Sequence, residues 1–316
     1  MHENSPQSAL LTLPAQAESL LSMVGNTPIQ RLTRVSEGLA PEVELWVKAE
    51  WFNPAGSVKD RPARGILLRA LEQGLLGEGH VLLDSTSGNM GIAYATFAAA
   101  LDVRVHLAVP ANAGPARLGH LRALGAELTL TDPLEGSDGA RVVAAGMADS
   151  CPDLYFYADQ YSNPENWKAH YSGTGPELMA QTEGRITHFV CGLGTTGTMT
   201  GAGRFFHEAS PDTSVIAVQP DGPLHGLEGL KHLTSSPVPP IFDDTIADET
   251  RPVSTEQAYE MARQLARREG LLVGASGGAC VWAALEIART LQKGVVVALI
   301  PDSGLKYLDT PLWNLR

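Results

Sequence analysis

At 316 residues, 44% hydrophobic and 18% charged, the chain is long enough to bury a sizeable core and matches about two domains of ordinary size. Its net charge of −12 comes without any Lys/Arg cluster, which excludes the electrostatic footprint of a nucleic-acid surface, and no apolar run reaches the roughly 20 residues that span a bilayer. Three cysteines, Cys151, Cys191 and Cys280, stand far apart; that spacing suits neither a disulfide framework nor a zinc site and fits a reducing cytoplasm, with no metal expected.

Residues 1–23 have neither a basic start nor a sustained apolar run, so they read as a leader, in the simplest case a flexible tail, and not as a secretory signal. Beyond them, short apolar runs alternate with helical-period segments. Strands are expected over 43–48, 81–84, 103–109, 127–131, 154–158, 188–192, 215–219, 271–273 and 295–300, and helices over 91–101, 138–150, 254–269 and 278–293. This alternation is the pattern of parallel sheets joined by crossover helices, an α/β fold, with a boundary near residue 155 that divides the strands into two sheets. The Pro-, Ser- and Asp-rich stretch 234–248 reads as a long irregular connection, either an ordinary surface loop or a lid.

The loops that follow expected strands carry the polar chemistry, and ligands of open α/β sheets collect at the carboxyl ends of strands. In Asn53-Pro54-Ala55-Gly56-Ser57-Val58-Lys59-Asp60-Arg61, Ser57 can cap a helix whose first turn holds Lys59. The positive end of the helix dipole disfavours an ammonium there, as a Schiff-base lysine requires; the bland alternative is a solvated lysine balanced by Asp60. The chain has only six lysines, which makes one in this place more telling. Ser85-Thr86-Ser87-Gly88-Asn89-Met90-Gly91 offers hydroxyls, an amide and free N–H groups at a helix start, a receptor for a carboxylate or simply a capped turn.

Cys191-Gly192-Leu193-Gly194-Thr195-Thr196-Gly197-Thr198 combines glycines for close backbone approach with three threonine hydroxyls, and reads as a phosphate cradle. Gly192, Gly194 and Gly197 also satisfy the GxGxxG dinucleotide pattern, with Asp221 at a plausible distance for a ribose contact. A nicotinamide-dependent dehydrogenase is therefore a rival. Val273-Gly274-Ala275-Ser276-Gly277-Gly278-Ala279 exposes one hydroxyl, Ser276, and Pro301-Asp302-Ser303-Gly304 follows another apolar run; each alone is an ordinary cap or turn.

In order and spacing these segments resemble the cysteine synthase family of fold-type II pyridoxal-phosphate enzymes over nearly the whole chain, residues 24–308. Gly25-Asn26-Thr27-Pro28 is similar to the family's opening motif, residues 57–61 to its cofactor-lysine motif and residues 87–91 to its substrate loop; Gln160 with Asn163 and Pro164, then residues 173–178, continue the match. The resemblance implies twisted, mostly parallel sheets flanked by helices, with pyridoxal 5′-phosphate in a cleft between a smaller substrate-binding domain, 42–155, and a larger cofactor-binding domain, 24–41 plus 156–316.

It further implies that Lys59 carries the cofactor as an imine and moves the α-proton, that Asn89 bonds the pyridoxal hydroxyl, that Gly194, Thr195, Thr196, Gly197 and Thr198 take the phosphate, and that Ser276 faces the pyridine nitrogen. A neutral hydroxyl there moderates the electron sink and suits β-elimination. Thr86, Ser87, Gly88, Asn89, Met90 and Gln160 would make up the substrate site. The implied reaction exchanges the β-substituent of O-acetyl-L-serine or O-phospho-L-serine for sulfur through an aminoacrylate, giving L-cysteine. A cystathionine synthase, a serine or threonine dehydratase, a diaminopropionate synthase and a catalytically silent partner protein are the alternatives.

Within the family, His170, Tyr171, residues 173–178 and the run 192–204 are most similar to the B-type, O-phosphoserine-using branch. Met90 departs from a usual threonine and Gly277 from a usual serine or threonine. Pro220 and Asp221 stand where phosphoserine-using relatives place an arginine. A carboxylate there would repel a phosphate, which puts O-acetylserine ahead, with Lys231 and His225 as cations able to compensate. The resemblance also implies a homodimer, with sulfide, thiosulfate or a sulfur-carrier protein's thiocarboxylate as donor, and no nucleic-acid or membrane partner.

Overall fold

The computed structural model describes residues 13–314 apart from Glu78 and Ser87. Its strands, in chain order, are β1 (Ile29–Arg31), β2 (Glu42–Ala49), β3 (Val81–Ser85), β4 (Arg104–Pro110), β5 (Glu127–Thr131), β6 (Tyr155–Tyr157), β7 (His188–Gly192), β8 (Ser214–Pro220), β9 (Glu249–Val253) and β10 (Lys293–Ile300). The α-helices are α1 (Ala15–Ser22), α2 (Asp60–Glu72), α3 (Asn89–Leu101), α4 (Pro115–Ala123), α5 (Gly136–Ser150), α6 (Pro164–Ala169), α7 (Gly175–Gln181), α8 (Gly197–Ala209), α9 (Thr255–Gln264) and α10 (Ala275–Thr290).

The strands form a six-stranded sheet ordered β1-β2-β10-β7-β8-β9 and a four-stranded sheet ordered β5-β4-β3-β6. All pairs are parallel except β1 with β2. β10 reads Lys-Gly-Val-Val-Val-Ala-Leu-Ile and is buried from Gly294 to Ile300. A strand flanked by parallel neighbours and covered on both faces has no polar side to present, hence the unbroken apolar run. One face of the larger sheet packs on α9 and α10, through Val190, Ile216, Val296 and Ala298 against Met261, Ala279 and Ala284. The other packs on α8, where Met199 and Phe206 meet Phe189, Val215 and Val297. In the smaller sheet, α1, α2 and α3 share a core with Leu82, Val105 and Leu107, and α5 covers Leu83 and Ala108 on the other side.

Several expectations shift. Residues 42–49, assigned to the smaller unit, lie in the larger sheet, because all eight residues of β2 pair with β10; Tyr155–Tyr157 instead close the smaller sheet beside β3. The leader contains α1, whose Ala17 and Leu21 are buried in the core of the smaller sheet, so residues 15–22 are not a flexible tail; residues 1–12 lie outside the described residues. The expected strand 271–273 is absent: only Val273 makes a bridge, to Ser303. The stretch 234–248 carries no regular structure but is pinned to the body by Thr200 Oγ1 donating to Ile241 O at 3.2 Å and by the Arg204–Asp243 pair at 2.9 Å, which is a surface connection. Among the described residues no helix is long and apolar enough to cross a membrane.

Candidate active site

The carboxyl ends of β2, β3, β7 and β10 open onto one cleft, and the loops after them supply its walls. After β2 the chain turns through Gly56, whose φ of +81° suits glycine alone, and Lys59 takes the N-cap position of α2, one residue before the first turn. Ser57 Oγ accepts from Lys59 N–H at 3.2 Å, and Val58 N–H donates to Pro301 O at 2.8 Å, tying this loop to the one after β10. Asp60 turns inward to accept from Ala55 N–H at 2.5 Å instead of facing Lys59, and burial pushes its carboxyl up to about 7. Lys59 Nζ donates to Thr195 Oγ1 at 3.2 Å, and burial lowers its ammonium to about 8. An amine so placed exchanges a proton near neutral pH.

Lys59, Thr86, Gly88, Asn89, Met90, Gln160, Gly194 and Thr195 line one cavity; Lys59, Asn89, Gly194, Thr195, Thr196, Thr198 and Ser276 line the space beside it. Ser87 lies outside the described residues. Gly197 does not line either space but packs beneath the loop: a Cβ there would stand 2.0 Å from Asn166 Oδ1. Thr86 Oγ1 accepts from the N–H groups of Gly88 and Gly91 at 3.1 and 3.2 Å, so its oxygen braces the start of α3. Gln160 Nε2 donates to Ser85 O at 2.8 Å, while buried Asp84 accepts from Ser85 N–H at 2.7 Å and Gln160 N–H at 3.3 Å. Burial pushes the Asp84 carboxyl up to about 7.

Asn89 is held across the cleft. Its Nδ2 donates to Asp302 Oδ2 at 2.7 Å and its Oδ1 accepts from Lys306 Nζ at 2.7 Å, while Tyr307 OH donates to the same Asp302 oxygen at 2.6 Å. Thr198 Oγ1 lies 3.3 Å from His170 Nε2, whose Nδ1 is 2.8 Å from Thr174 Oγ1; burial drives His170 well below its ordinary value, so the ring is neutral. Lys306, Tyr307, Asn166, Tyr161 and Glu228 carry no mark in the sequence as site residues, and Asp302 is marked only as part of a turn. The one signal was the 301–304 turn following an apolar run.

The residues present fit a pyridine ring with a phosphate. Thr196 Oγ1 is buried with no partner beside the N-terminus of α8, and a Cβ on Gly194 would stand 2.3 Å from Gly229 O, so the loop keeps a bare backbone and an orphaned hydroxyl where an anion is received. An amine, an amide and a neutral hydroxyl, from Lys59, Asn89 and Ser276, adjoin the same space. Asp221, the expected ribose partner, is exposed and lines neither space; its N–H donates to Val253 O. The dinucleotide reading therefore loses its second element. The same placement corrects the expected repulsion: the loop after β8 carries Asp221 away and brings Lys231 in, its Nζ donating to Asp138 Oδ1 at 2.7 Å and lying 5.4 Å from the Tyr161 ring centroid. His225 lines neither space.

A family model described as pyridoxal-phosphate dependent enzyme matches residues 20–302. A cysteine synthase from Aquifex aeolicus is 51% identical over 302 residues, covering 94% of this chain and 92% of that one, and a cysteine synthase B from Escherichia coli is 41% identical over 296 residues, covering 94% and 96%. Among solved structures, a cysteine synthase from Entamoeba histolytica superposes with a TM-score of 0.90 at 31% identity, covering 100% of this chain and 95% of that one. By these matches and the lysine, threonine and asparagine groups that meet in its cleft, the chain belongs to the cysteine synthase family of pyridoxal-phosphate dependent enzymes.

Proposed function

We propose that the protein makes L-cysteine by replacing the β-substituent of O-acetyl-L-serine with sulfur, using pyridoxal phosphate. The observation that carries this reading is the meeting of Lys59 Nζ with Thr195 at 3.2 Å in a cleft shared by Asn89, Gln160 and Ser276. Lys59 would hold the cofactor, residues 194–198 its phosphate, Asn89 its ring hydroxyl and Ser276 its ring nitrogen, without protonating that nitrogen. Bound there, the cofactor supplies an electron sink for the α-carbon. The start of α3 and Gln160 orient the substrate carboxylate, and Lys59, with its ammonium lowered to about 8, takes the α-proton and returns it. Met90, 2% exposed, and Tyr161 narrow the cavity against water, which would otherwise compete with sulfur.

The choice of ester follows from charge. Lys231 is neutralised by Asp138, and Glu228, paired with Arg117, lines the same cavity, an environment that favours the neutral acetyl group. O-phospho-L-serine is the second reading, favoured by Lys231 itself, whose ammonium a phosphate could draw from Asp138. The test is the visible spectrum of the purified protein before and after each ester. A cofactor band that shifts with O-acetylserine supports the proposal, a shift with O-phosphoserine alone that is lost in Lys231→Met replaces it with the second reading, and absence of a cofactor band after adding pyridoxal phosphate defeats both. Lys59→Ala is expected to lose the band and turnover. The reading carries with it a homodimer, testable by sedimentation, and a sulfur-carrier protein as donor besides sulfide or thiosulfate, testable by competition between them.

A further inference from the structure

Asn166 is 1% exposed and occupies α6 where that helix crosses α8. The crossing is close because α8 presents glycines: a Cβ on Gly197 would stand 2.0 Å from Asn166 Oδ1, and one on Gly201 2.0 Å from Trp167 O. The start of α6 is itself fixed, with Asn163 Oδ1 capping Glu165 N–H at 3.0 Å and Pro164 in the first turn. From this point Asn166 Nδ2 donates twice, to Gln160 O at 2.6 Å and to Thr195 Oγ1 at 3.0 Å. Its Oδ1 is buried without a partner. A site that keeps an amide while stranding its oxygen is using the donor.

The amide has one orientation, since a carbonyl oxygen at 2.6 Å accepts only from NH2 and never from Oδ1. Thr195 Oγ1 therefore accepts from Asn166, and in the cofactor-free chain it also accepts from the Lys59 ammonium, which has donors only. Both lone pairs of the hydroxyl are then taken. Its single proton has nowhere to go but outward, into the space that Thr195 lines.

We infer that Asn166 is a positioning residue that presets the Thr195 hydroxyl as a donor toward an anionic oxygen entering the cleft, and at the same time fixes the register between the Gln160 and Lys59 walls. This rests on the cofactor reading above and adds to it a residue that touches neither cofactor nor substrate.

The test is a double-mutant cycle on cofactor binding. The full-length chain, freed of cofactor, is titrated with pyridoxal phosphate for wild type, Asn166→Asp, Thr195→Val and the double variant, with near-ultraviolet circular dichroism confirming the fold. Asn166→Asp keeps the shape but sets an acceptor against Gln160 O, so Thr195 turns its proton inward; affinity should fall by about tenfold or more, and the double variant should be no weaker than the weaker single one. The gap between Asn166→Asp and wild type should also narrow as pH falls and the new carboxyl regains a proton to donate. Asn166→Ala, run in the same cycle, should show the same coupling with Thr195→Val. Losses that multiply in the double variants, or affinities equal to wild type, overturn the inference. A wild-type chain that fails to bind pyridoxal phosphate overturns the function reading instead.

Discussion

Glu177→Gln probes how the lysine-bearing helix is anchored. Glu177 on α7 accepts from Arg61 Nη1 and Nη2 at 2.7 Å each and from Lys48 Nζ at 2.7 Å, and Arg61, two residues beyond Lys59, also bonds Glu50 at 2.6 and 2.8 Å. Lys48 and Arg61 are 0% and 4% exposed and Glu177 13%. Burial by itself raises the Glu177 carboxyl, but the hydrogen bonds and charges of Arg61 and Lys48 outweigh it and hold the group at about 2, against an ordinary 4.5. At roughly 1.4 kcal/mol per pH unit this contributes about 3 kcal/mol at neutral pH, and breaking a buried pair independently predicts about 3–5 kcal/mol. The folded-state value is depressed, so the stabilisation is present above the ordinary value and is lost as pH falls toward about 2. Urea unfolding should therefore show a wild-type advantage of about 3 kcal/mol near pH 7 that shrinks steadily below about pH 4.5. An advantage under about 1 kcal/mol, or one that does not change with pH, would refute the reasoning.

Three further outcomes follow from the cleft. Thr196 sits at φ +69°, a conformation costing about 1 kcal/mol or more for a branched residue; Thr196→Gly should raise the melting temperature of the cofactor-free chain while weakening pyridoxal phosphate binding, and a destabilised variant would count against backbone strain there. Gly197→Ala drives a Cβ into Asn166 Oδ1 and should cost about 1–3 kcal/mol in unfolding experiments, with loss of cofactor affinity; neutral behaviour would show that α6 can move aside. Lys306→Met removes the charged donor to Asn89 Oδ1 and should lower kcat/KM about tenfold or more, whereas unchanged steady-state kinetics would mean that Asp302 alone holds the amide.

Periodicity located much of the framework. The strands Glu127–Thr131 and His188–Gly192 fall where alternation and apolar runs place them, and β2, β3, β4 and β10 differ only at their ends, because a buried parallel strand such as β10 writes itself as a continuous apolar run and a half-buried one such as β2 as an alternation. Two short edge strands were not legible. β1 and β9 contain polar or proline residues, Gln30, Arg31, Arg251 and Pro252, and as edge strands they owe their form to the neighbour they pair with. β2 has an alternating sequence that says nothing of which sheet it joins; only its register with β10 settles that.

By itself the sequence marked the contiguous loops that line the cleft: Lys59 before a helix, the start of α3 after β3, the glycine-threonine run 192–198 and Ser276. Local spacing dictates such loops, since each is a strand end followed by a helix start with its free N–H groups. What only the tertiary structure decided are the contacts between walls: Asn166 reaching Thr195, Lys306 and Asp302 gripping Asn89, Glu177 joining Arg61 to Lys48, and Lys231 rather than Asp221 entering the cavity. These pairs are separated by 29 to 217 positions, and no local pattern records them. They exist because two sheets bring their carboxyl ends to one cleft, where each buried polar group must find a partner from the opposite wall.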